Sequence, residues 1–427
     1  MLYQQLLQLQ AENRPIRIGA HGAGWMGSGF VAQVERMAGI EVSVLADADV
    51  AQARAAFEAA GVASSAIAEC SYPGPAMDAL RAGKRVVTGD LRLPALVDAV
   101  DIVTDVTPSP ASGASVALAG IEHGKDVVLV NIEADVTVGR ILKKLARAAG
   151  VLYSVSSGDE PGCLMELWEY VNLLGFEPVV IGKGKNNPLD PSATPDSVAE
   201  AARRADKDAY QTASYVDGSK TMFEMTCAAN ATGCVPMRRG MTGPDATLDT
   251  VTGIFSLRED GGSVPHPGVV DFVQGKAMAG GVFVTCRVHN RRIADDLKYL
   301  KVGDGIYSTF FRPYHLWFIE APISFAEAHL QRKVTLAPLD RPVAESMAVA
   351  KRALQPGDVL DDFGGYTFYG VMDRAEEAAA IDALPTGLAP GARVVQPVAA
   401  GEIIRWSDIA LDETSDVVRL RRMQDRM

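Results

Sequence analysis

The chain has 427 residues, of which 48% are hydrophobic and 22% charged, a composition typical of globular proteins with two or three domains. Its 41 lysines and arginines and 53 aspartates and glutamates give a net charge of −12, and the absence of a basic run argues against a nucleic-acid partner, which would require a basic surface. Because no apolar stretch approaches the roughly 20 residues that cross a bilayer and the first residues do not resemble a signal peptide, we expect a cytoplasmic protein with no membrane partner.

Short apolar strands alternate with helices over the first 155 residues. The pattern predicts strands at 16–21, 41–46, 101–106, 126–131 and 151–155. Predicted helices cover 2–12, the residues after Gly27 to about 38, 50–60, 111–123 and 137–149. Such alternation is typical of right-handed crossovers between parallel strands. The sequence therefore predicts an α/β fold with an N-terminal, Rossmann-type, doubly wound parallel sheet over residues 1–155.

A glycine-rich turn follows the first predicted strand directly, and Asp47 ends the next strand, 20 positions past the last glycine of the turn. Glycines allow a tight turn and let a pyrophosphate approach the N-terminus of the following helix, while the aspartate accepts hydrogen bonds from ribose hydroxyls. The alternative is a turn that only joins strand to helix. We expect NAD(H) or NADP(H) here, and Asp47 favours NAD(H) because a carboxylate repels a 2′-phosphate. The cofactor-binding residues predicted from this motif are Gly22, Ala23, Gly24, Trp25, Met26, Gly27 and Asp47.

The regular alternation ends after residue 155, and residues 156–330 predict a mixed α/β catalytic domain. A turn at 158–162 opens a helix that runs to about 174. Asp159 and Glu160 lie in this turn. Two adjacent carboxylates could hold a divalent metal such as Mg²⁺ or Mn²⁺, or orient a substrate hydroxyl. They could equally cap the helix, and the sequence leaves both interpretations open.

A predicted strand at 179–185 carries Lys183 and Lys185, whose side chains point to the same face because side chains alternate along a strand. Two ammonium groups together could bind a phosphate or stabilise the alkoxide that forms during hydride transfer. The alternative is an edge strand protected by solvated lysines. The glycines on either side of Lys183 favour the binding interpretation, since they indicate close approach by another group.

Lys220 begins one of the helices predicted up to about residue 231, four residues before Glu224. It is either half of a solvated i,i+4 pair or a lysine delivered beside the cofactor. Strands return at 269–274 and 281–289. From 331 to 427 the chain predicts short strands joined by Pro-Gly turns, which indicates a small β-rich third domain.

Several of these segments resemble the homoserine-dehydrogenase-like family over about residues 14–325. The resemblance lies in the glycine turn, in Thr107-Pro108 after a later strand, in the run Val130–Asp135 and in the strand that contains Lys183 and Lys185. The segments 354–359 and 398–404 resemble the SAF domain. Together the two parts resemble a branch containing the 1-deoxy-D-xylulose 5-phosphate reductoisomerase-like enzymes.

The resemblance implies an NADPH-dependent oxidoreductase of isoprenoid precursor synthesis that acts on a small anionic substrate with a divalent metal. It also implies a homo-oligomer, contacts of Thr107 and Asn131 with the cofactor, and a catalytic role for Lys220. Ile132 stands where homoserine dehydrogenases carry a lysine. Two alternatives therefore stay open: a homoserine, sugar-acid or polyol dehydrogenase, and a non-catalytic cofactor-binding sensor.

Overall fold

The computed structural model describes residues 1–303 and 305–427, and these form two compact units. The first unit comprises Met1–Gly162, Leu316–Ala337 and Thr414–Met427. The second comprises the described residues of Cys163–His315 and of Pro338–Glu413. The segment predicted as a third domain, 331–427, is thus shared between the two units.

The helices and strands are numbered here in chain order. The strands are β1 (Ile16–His21), β2 (Ile40–Ala46), β3 (Ile67–Glu69), β4 (Arg85–Thr88), β5 (Ile102–Asp105), β6 (Asp126–Leu129), β7 (Tyr153–Val155), β8 (Glu177–Gly184), β9 (Val235–Pro236), β10 (Val269–Val273), β11 (Val282–Arg287), β12 (Tyr307–Arg312), β13 (Ala344–Ala350), β14 (Phe368–Arg374), β15 (Arg393–Val394) and β16 (Ile409–Ala410). The helices are α1 (Leu2–Ala11), α2 (Trp25–Val34), α3 (Val50–Ala59), α4 (Pro73–Arg81), α5 (Leu93–Leu96), α6 (Pro110–Glu122), α7 (Ile132–Ala149), α8 (Glu160–Leu173), α9 (Pro195–Arg204), α10 (Ala209–Val216), α11 (Ser219–Thr232), α12 (Val251–Ile254), α13 (Arg291–Tyr299), α14 (Trp317–Gln331), α15 (Ala375–Ala380) and α16 (Asp416–Gln424). Within the described residues, no helix combines the length and apolar character needed to cross a membrane.

The first unit contains a parallel sheet with the strand order β3-β4-β2-β1-β5-β6-β7. This arrangement confirms the predicted doubly wound sheet. Its apolar core includes Ile18, Val42, Phe57 and, from α14, Phe325. The strand order reverses direction at β1, because the strands that follow it in sequence lie first on one side (β2) and later on the other (β5). In open parallel sheets, ligands bind outside the carboxyl ends of the strands at such a switch point.

The second unit contains a mixed sheet with the order β12-β11-β8-β10-β9. Strand β8 pairs parallel with β10 and antiparallel with β11, so both of its edges are covered. Two short antiparallel pairs, β13-β14 and β15-β16, follow in the C-terminal part of this unit. These sheets confirm the predicted mixed α/β region and small C-terminal β structure.

A buried ion pair holds the C-terminal β segment of the second unit against helix α11. Lys351 follows β13, and its Nζ lies 2.8 Å from a carboxylate oxygen of Asp217, with the two side chains 3% and 0% exposed. The same ammonium donates to the carbonyl oxygen of Gly365 at 2.7 Å. Nearby, the N–H of Gly370 donates to Ser219 Oγ at 2.8 Å. These bonds fix the start of α11 against residues from β13 and β14.

We predict that Lys351→Met destabilises the protein by about 3–5 kcal/mol, because it leaves the carboxylate of Asp217 buried without its cation. Arg352→Ala is the matched control: the neighbouring Arg352 makes a half-exposed ion pair with Asp358, and such pairs contribute little. Urea unfolding measures both variants. Equal stability of the two would contradict a structural role for the buried pair.

Candidate functional site

The glycines of the turn after β1 have three different structural roles. Gly22 has φ +99° and donates its N–H to the carbonyl oxygen of Ala46 at 2.9 Å, which joins the turn to the end of β2. A Cβ added to Gly27 would lie 1.9 Å from the carbonyl oxygen of Gly22, so only glycine allows α2 to pack this closely. A Cβ added to Gly24 would meet nothing within 4 Å. Gly22 and Gly27 therefore shape the turn, and Gly24 leaves space in front of the helix.

Helix α2 begins at this open space with Gly24 as its N-cap, and this cap residue brings no side chain to the first N–H groups of the helix. A helix N-terminus offers backbone donors and a partial positive charge, which together bind phosphate. Trp25 and Met26 form the first helical positions, and the ring of Trp25 lies 5.3 Å from that of Trp317 at an interplanar angle of 76°. The turn fits the pyrophosphate of a dinucleotide.

Asp47 lies directly after β2 and accepts two backbone hydrogen bonds. Its Oδ2 accepts from the N–H of Ala23 at 2.7 Å, and its Oδ1 accepts from the N–H of Asp49 at 2.9 Å. The carboxylate therefore holds the glycine turn against the end of β2. Since a carboxylate offers about four lone-pair positions, Asp47 keeps accepting capacity for the ribose hydroxyls that the sequence predicts as its partners.

Thr107 and Asn131 lie beyond the ends of β5 and β6, and both bind Asp105. The hydroxyl of Thr107 donates to Asp105 Oδ1 at 2.7 Å, and Asn131 Nδ2 donates to the same oxygen at 2.9 Å. Asn131 Oδ1 also accepts from the N–H of Ala134 at 2.8 Å and caps α7. This cap explains why α7 begins at Ile132, whereas the sequence analysis predicts its start at 137.

Asp105 itself was missed by the sequence analysis. It is 0% exposed, and its Oδ2 accepts from Ser112 Oγ at 2.6 Å and lies 2.7 Å from His21 Nδ1. The sequence does contain a signal for this role. An aspartate at the end of an apolar strand is expected to be buried, and a buried charge requires specific partners. The sequence analysis did not connect His21 to this aspartate.

Lys183 and Lys220 meet at the buried carboxylate of Glu224 in the second unit. Lys183 Nζ contacts Oε2 of Glu224, and Lys220 Nζ lies 3.9 Å from Oε1. The side chains of Lys183 and Glu224 are 8% and 2% exposed, and that of Lys220 is 24% exposed. The i,i+4 pair of α11 thus exists, but it is largely buried. We call these three residues the Lys183–Glu224–Lys220 cluster.

Lys185 directly follows β8, and its ammonium group bonds to backbone carbonyls. Its ammonium donates to the carbonyl oxygens of Tyr215 at 2.7 Å, Asn187 at 2.8 Å and Pro188 at 3.5 Å. Burial, reinforced by the charge of Lys183, lowers the pKa of Lys185 to about 8. Because the three donors of an ammonium group are used here, Lys185 fixes the turn after β8 and the end of α10.

The glycines beside Lys183 have a structural explanation that corrects the interpretation from sequence. A Cβ at Gly182 would lie 2.3 Å from the carbonyl oxygen of Asp271, and one at Gly184 would lie 1.7 Å from that of Met278. The close approach inferred from these glycines is therefore made by the protein's own backbone. It gives no information about a ligand.

Asp159 and Glu160 lie between β7 and α8, as the sequence predicts. Glu160 is the first residue of the helix and is 4% exposed, and Asp159 is half-buried. The preceding Gly158 has φ +92° and accepts a hydrogen bond from the N–H of Trp317 at 2.7 Å. This turn presents two adjacent carboxylates at a helix start, and their role as metal ligands stays a prediction.

Two domain families match the chain. Residues 22–155 match the family described as homoserine dehydrogenase, NAD binding domain, and residues 158–321 match the catalytic domain of the oxidoreductase DRL. The chain is an NAD(P)-dependent oxidoreductase. Its glycine turn lies at the beginning of the first match, and the Lys183–Glu224–Lys220 cluster lies within the second. No curated protein matches the sequence.

Solved structures give distant similarities. A probable dehydrogenase from Thermotoga maritima is 12% identical, with 74% of this chain and 90% of that chain covered and a TM-score of 0.43. The 1-deoxy-D-xylulose 5-phosphate reductoisomerase of Zymomonas mobilis in complex with NADPH is 18% identical, with coverages of 50% and 57% and a TM-score of 0.35. GenD2 from gentamicin A biosynthesis in complex with NAD is 12% identical, with coverages of 77% and 89% and a TM-score of 0.37. The assignment above rests on the two domain matches.

We predict that Gly24→Ser weakens NAD(P)H binding by about tenfold or more, because the side chain fills the open space and its hydroxyl bonds the N–H groups offered to the pyrophosphate. The melting temperature of the Gly24→Ser variant stays at the wild-type value, since serine is a good N-cap. Gly27→Ala is the contrasting variant and lowers the melting temperature, because its methyl group collides with Gly22. Calorimetric titration and thermal unfolding measure both effects. Wild-type affinity in Gly24→Ser would contradict the site.

We predict that the free energy of unfolding of the wild type rises relative to Lys185→Met between pH 8 and 10.5. The pKa of Lys185 is lowered from 10.5 to about 8 by burial, so between these values the folded chain binds fewer protons than the unfolded chain. Below pH 8 the buried ammonium of Lys185 is charged, and the folded state bears the full free-energy cost of its desolvation. As the pH rises, the folded chain loses this proton and the cost disappears. Urea unfolding across this range measures the difference, and parallel profiles would contradict a lowered pKa.

Proposed function

We propose that this oxidoreductase transfers hydride between NAD(P)(H) and a small hydroxylated substrate that carries an anionic group. The observation that supports this substrate class is the Lys183–Glu224–Lys220 cluster, in which two ammonium groups share one buried carboxylate. These two ammonium groups lie together in a chain whose net charge is −12. Ammonium groups form strong, charge-assisted hydrogen bonds to phosphates and carboxylates, so an anionic group of the substrate suits this cluster.

Each lysine has a distinct role in this proposal. Glu224 holds the ammonium of Lys183 in place, so that it can stabilise the negative charge that develops on a carbonyl oxygen during reduction. Lys220 has the most exposed side chain of the three and binds the anionic group. Lys185 positions the turn after β8 through its carbonyl partners. The nicotinamide supplies or accepts the hydride when the cofactor is bound.

The specific substrate that we propose is 1-deoxy-D-xylulose 5-phosphate, which would place the enzyme in isoprenoid precursor synthesis. The proposal rests on the sequence resemblance described above, which also suggests an SAF-type C-terminal segment and a homo-oligomer. The phosphate suits the lysines, and Asp159 and Glu160 supply the carboxylate oxygens that Mg²⁺ or Mn²⁺ prefers. A metal held there would chelate the hydroxyketone for the rearrangement that precedes reduction.

The assay follows the absorbance of reduced nicotinamide with purified protein, 1-deoxy-D-xylulose 5-phosphate and NADPH or NADH, with Mg²⁺, with Mn²⁺ and with EDTA. Oxidation that requires the metal is the expected result. A second candidate, a homoserine-type dehydrogenase, is favoured by the match of residues 22–155. It predicts reduction of NAD(P)⁺ by homoserine with EDTA present and no reaction with the sugar phosphate.

We predict that Lys183→Ala lowers kcat by about 100-fold, on the scale of losing a charge-stabilising donor, and that Lys220→Gln acts mainly by raising KM. Lys276→Ala, which removes an exposed lysine of the same unit, is the control and keeps wild-type rates. NADPH titration confirms that each variant still binds cofactor. Wild-type turnover in folded Lys183→Ala would remove this lysine from the mechanism.

A further inference from the structure

We propose that His21 and Asp105 form a proton-linked charge pair beneath the nicotinamide half of the cofactor site. In this proposal the protonation of His21 sets the relative affinity of the enzyme for oxidised and reduced cofactor. The inference concerns cofactor recognition and does not depend on which substrate the enzyme reduces or oxidises.

The two residues are direct neighbours at the carboxyl edge of the parallel sheet. His21 ends β1 and Asp105 ends β5, and they are paired in register across these two strands. His21 Nδ1 lies 2.7 Å from Asp105 Oδ2, and Ser112 Oγ lies 2.8 Å from the same ring nitrogen. The Asp105 side chain is 0% exposed and that of His21 is 14% exposed. The imidazole of His21 is therefore partly exposed to solvent, whereas the carboxylate that it contacts is fully buried.

His21 is the ionisable side chain in contact with Asp105. Within the described residues, neither a lysine nor an arginine pairs with this carboxylate, and its remaining donors are the neutral groups of Thr107, Ser112 and Asn131. The strand on the other side of β1 contributes Ala46 opposite His21, followed by Asp47, whose carboxylate binds the N–H groups of Ala23 and Asp49. Nδ1 is the ring nitrogen of His21 that contacts Asp105 and Ser112, and Nε2 takes no part in these two contacts.

A dinucleotide on this fold crosses the sheet at the switch point between β1 and β5. Asp47 marks the adenosine side at the end of β2, so the nicotinamide half extends from the glycine turn towards β5, where Asp105 lies. Hydride transfer to the oxidised nicotinamide ring converts a positive ring into a neutral one. The charge of the protein beneath the ring therefore acts differently on the two redox forms of the cofactor.

The pair carries one negative charge when His21 is neutral and no net charge when His21 is protonated. When His21 is neutral, the negative charge of Asp105 attracts the positive nicotinamide ring of NAD⁺. The neutral ring of NADH has no comparable interaction with this charge. Binding of NAD⁺ therefore favours neutral His21, and reduction of the bound cofactor favours uptake of a proton. The affinity for NAD⁺ relative to NADH should therefore be higher at pH 8.5 than at pH 5.5.

The test measures the dissociation constants of NAD⁺ and NADH by calorimetric titration at pH 5.5 and 8.5, in two buffers that differ in ionisation enthalpy. For the wild type we expect the ratio Kd(NADH)/Kd(NAD⁺) to rise by about fivefold to tenfold between these pH values, which corresponds to about 1 kcal/mol of charge interaction. The buffer dependence should report release of protons when NAD⁺ binds at the lower pH.

Three variants separate the effect of the charge of the pair on cofactor affinity from the effect of losing a hydrogen bond in the same network. His21→Gln keeps the carboxylate but removes the titrating group, so its ratio should be high and should not change with pH. Asp105→Asn removes the negative charge, and its ratio should fall below that of the wild type at pH 8.5. Ser112→Ala removes one hydrogen bond of the same network and no charge, so it should follow the wild type.

A wild-type pH dependence in His21→Gln would overturn the proposal, because another group would then be responsible. An Asp105→Asn ratio equal to that of the wild type at pH 8.5 would also overturn it. If Asp105→Asn does not fold, His21→Gln still decides the question. These readouts are binding constants and proton counts, so they distinguish this proposal from a wrong substrate assignment, which would leave both unchanged.

Discussion

The carboxylate of Asp105 is buried where the carboxyl ends of β1, β5 and β6 meet, and an unsatisfied charge at such a place would cost several kcal/mol. Hydrogen bonds from His21, Thr107, Ser112 and Asn131 prevent this cost. Each donor comes from a different segment: the last residue of β1, the loop after β5, the first turn of α6 and the N-cap of α7. One buried charge thereby fixes the backbone around the switch point, and the glycine turn is built beside this fixed frame.

The second unit uses buried charges in a related way. Glu224 gathers Lys183 and Lys220 from β8 and α11, while Asp217 at the start of the same helix pairs with Lys351. Because an ion removed from water needs its partner, the position of α11 is determined by both carboxylates. The C-terminal β segment thus contributes to the position of the helix that carries Lys220 and Glu224, as an integral part of the second unit.

Hydrophobic periodicity and the glycine spacing were sufficient to predict the parallel sheet, with β1 at the observed bounds and the glycine turn at the head of α2. They did not predict β3 and β4, which are only three and four residues long, too short for a period to be recognised. The alternation rule predicted that Lys183 and Lys185 share one side of their strand. It could not distinguish an ammonium bound to a carboxylate from one bound to backbone carbonyls, because Glu224 and Tyr215 are distant in sequence. The network around Asp105 was missed for the same reason, since its members lie on four separate segments.

The most direct test of the proposed substrate class compares 1-deoxy-D-xylulose 5-phosphate with unphosphorylated 1-deoxy-D-xylulose in the same NADPH oxidation assay with Mg²⁺. The two ammonium groups of the Lys183–Glu224–Lys220 cluster predict that removal of the phosphate lowers kcat/KM by about 100-fold or more, and that Lys220→Gln reduces this difference. Equal kcat/KM values for the two compounds, or a difference that Lys220→Gln leaves unchanged, would contradict an anion-binding role for the cluster.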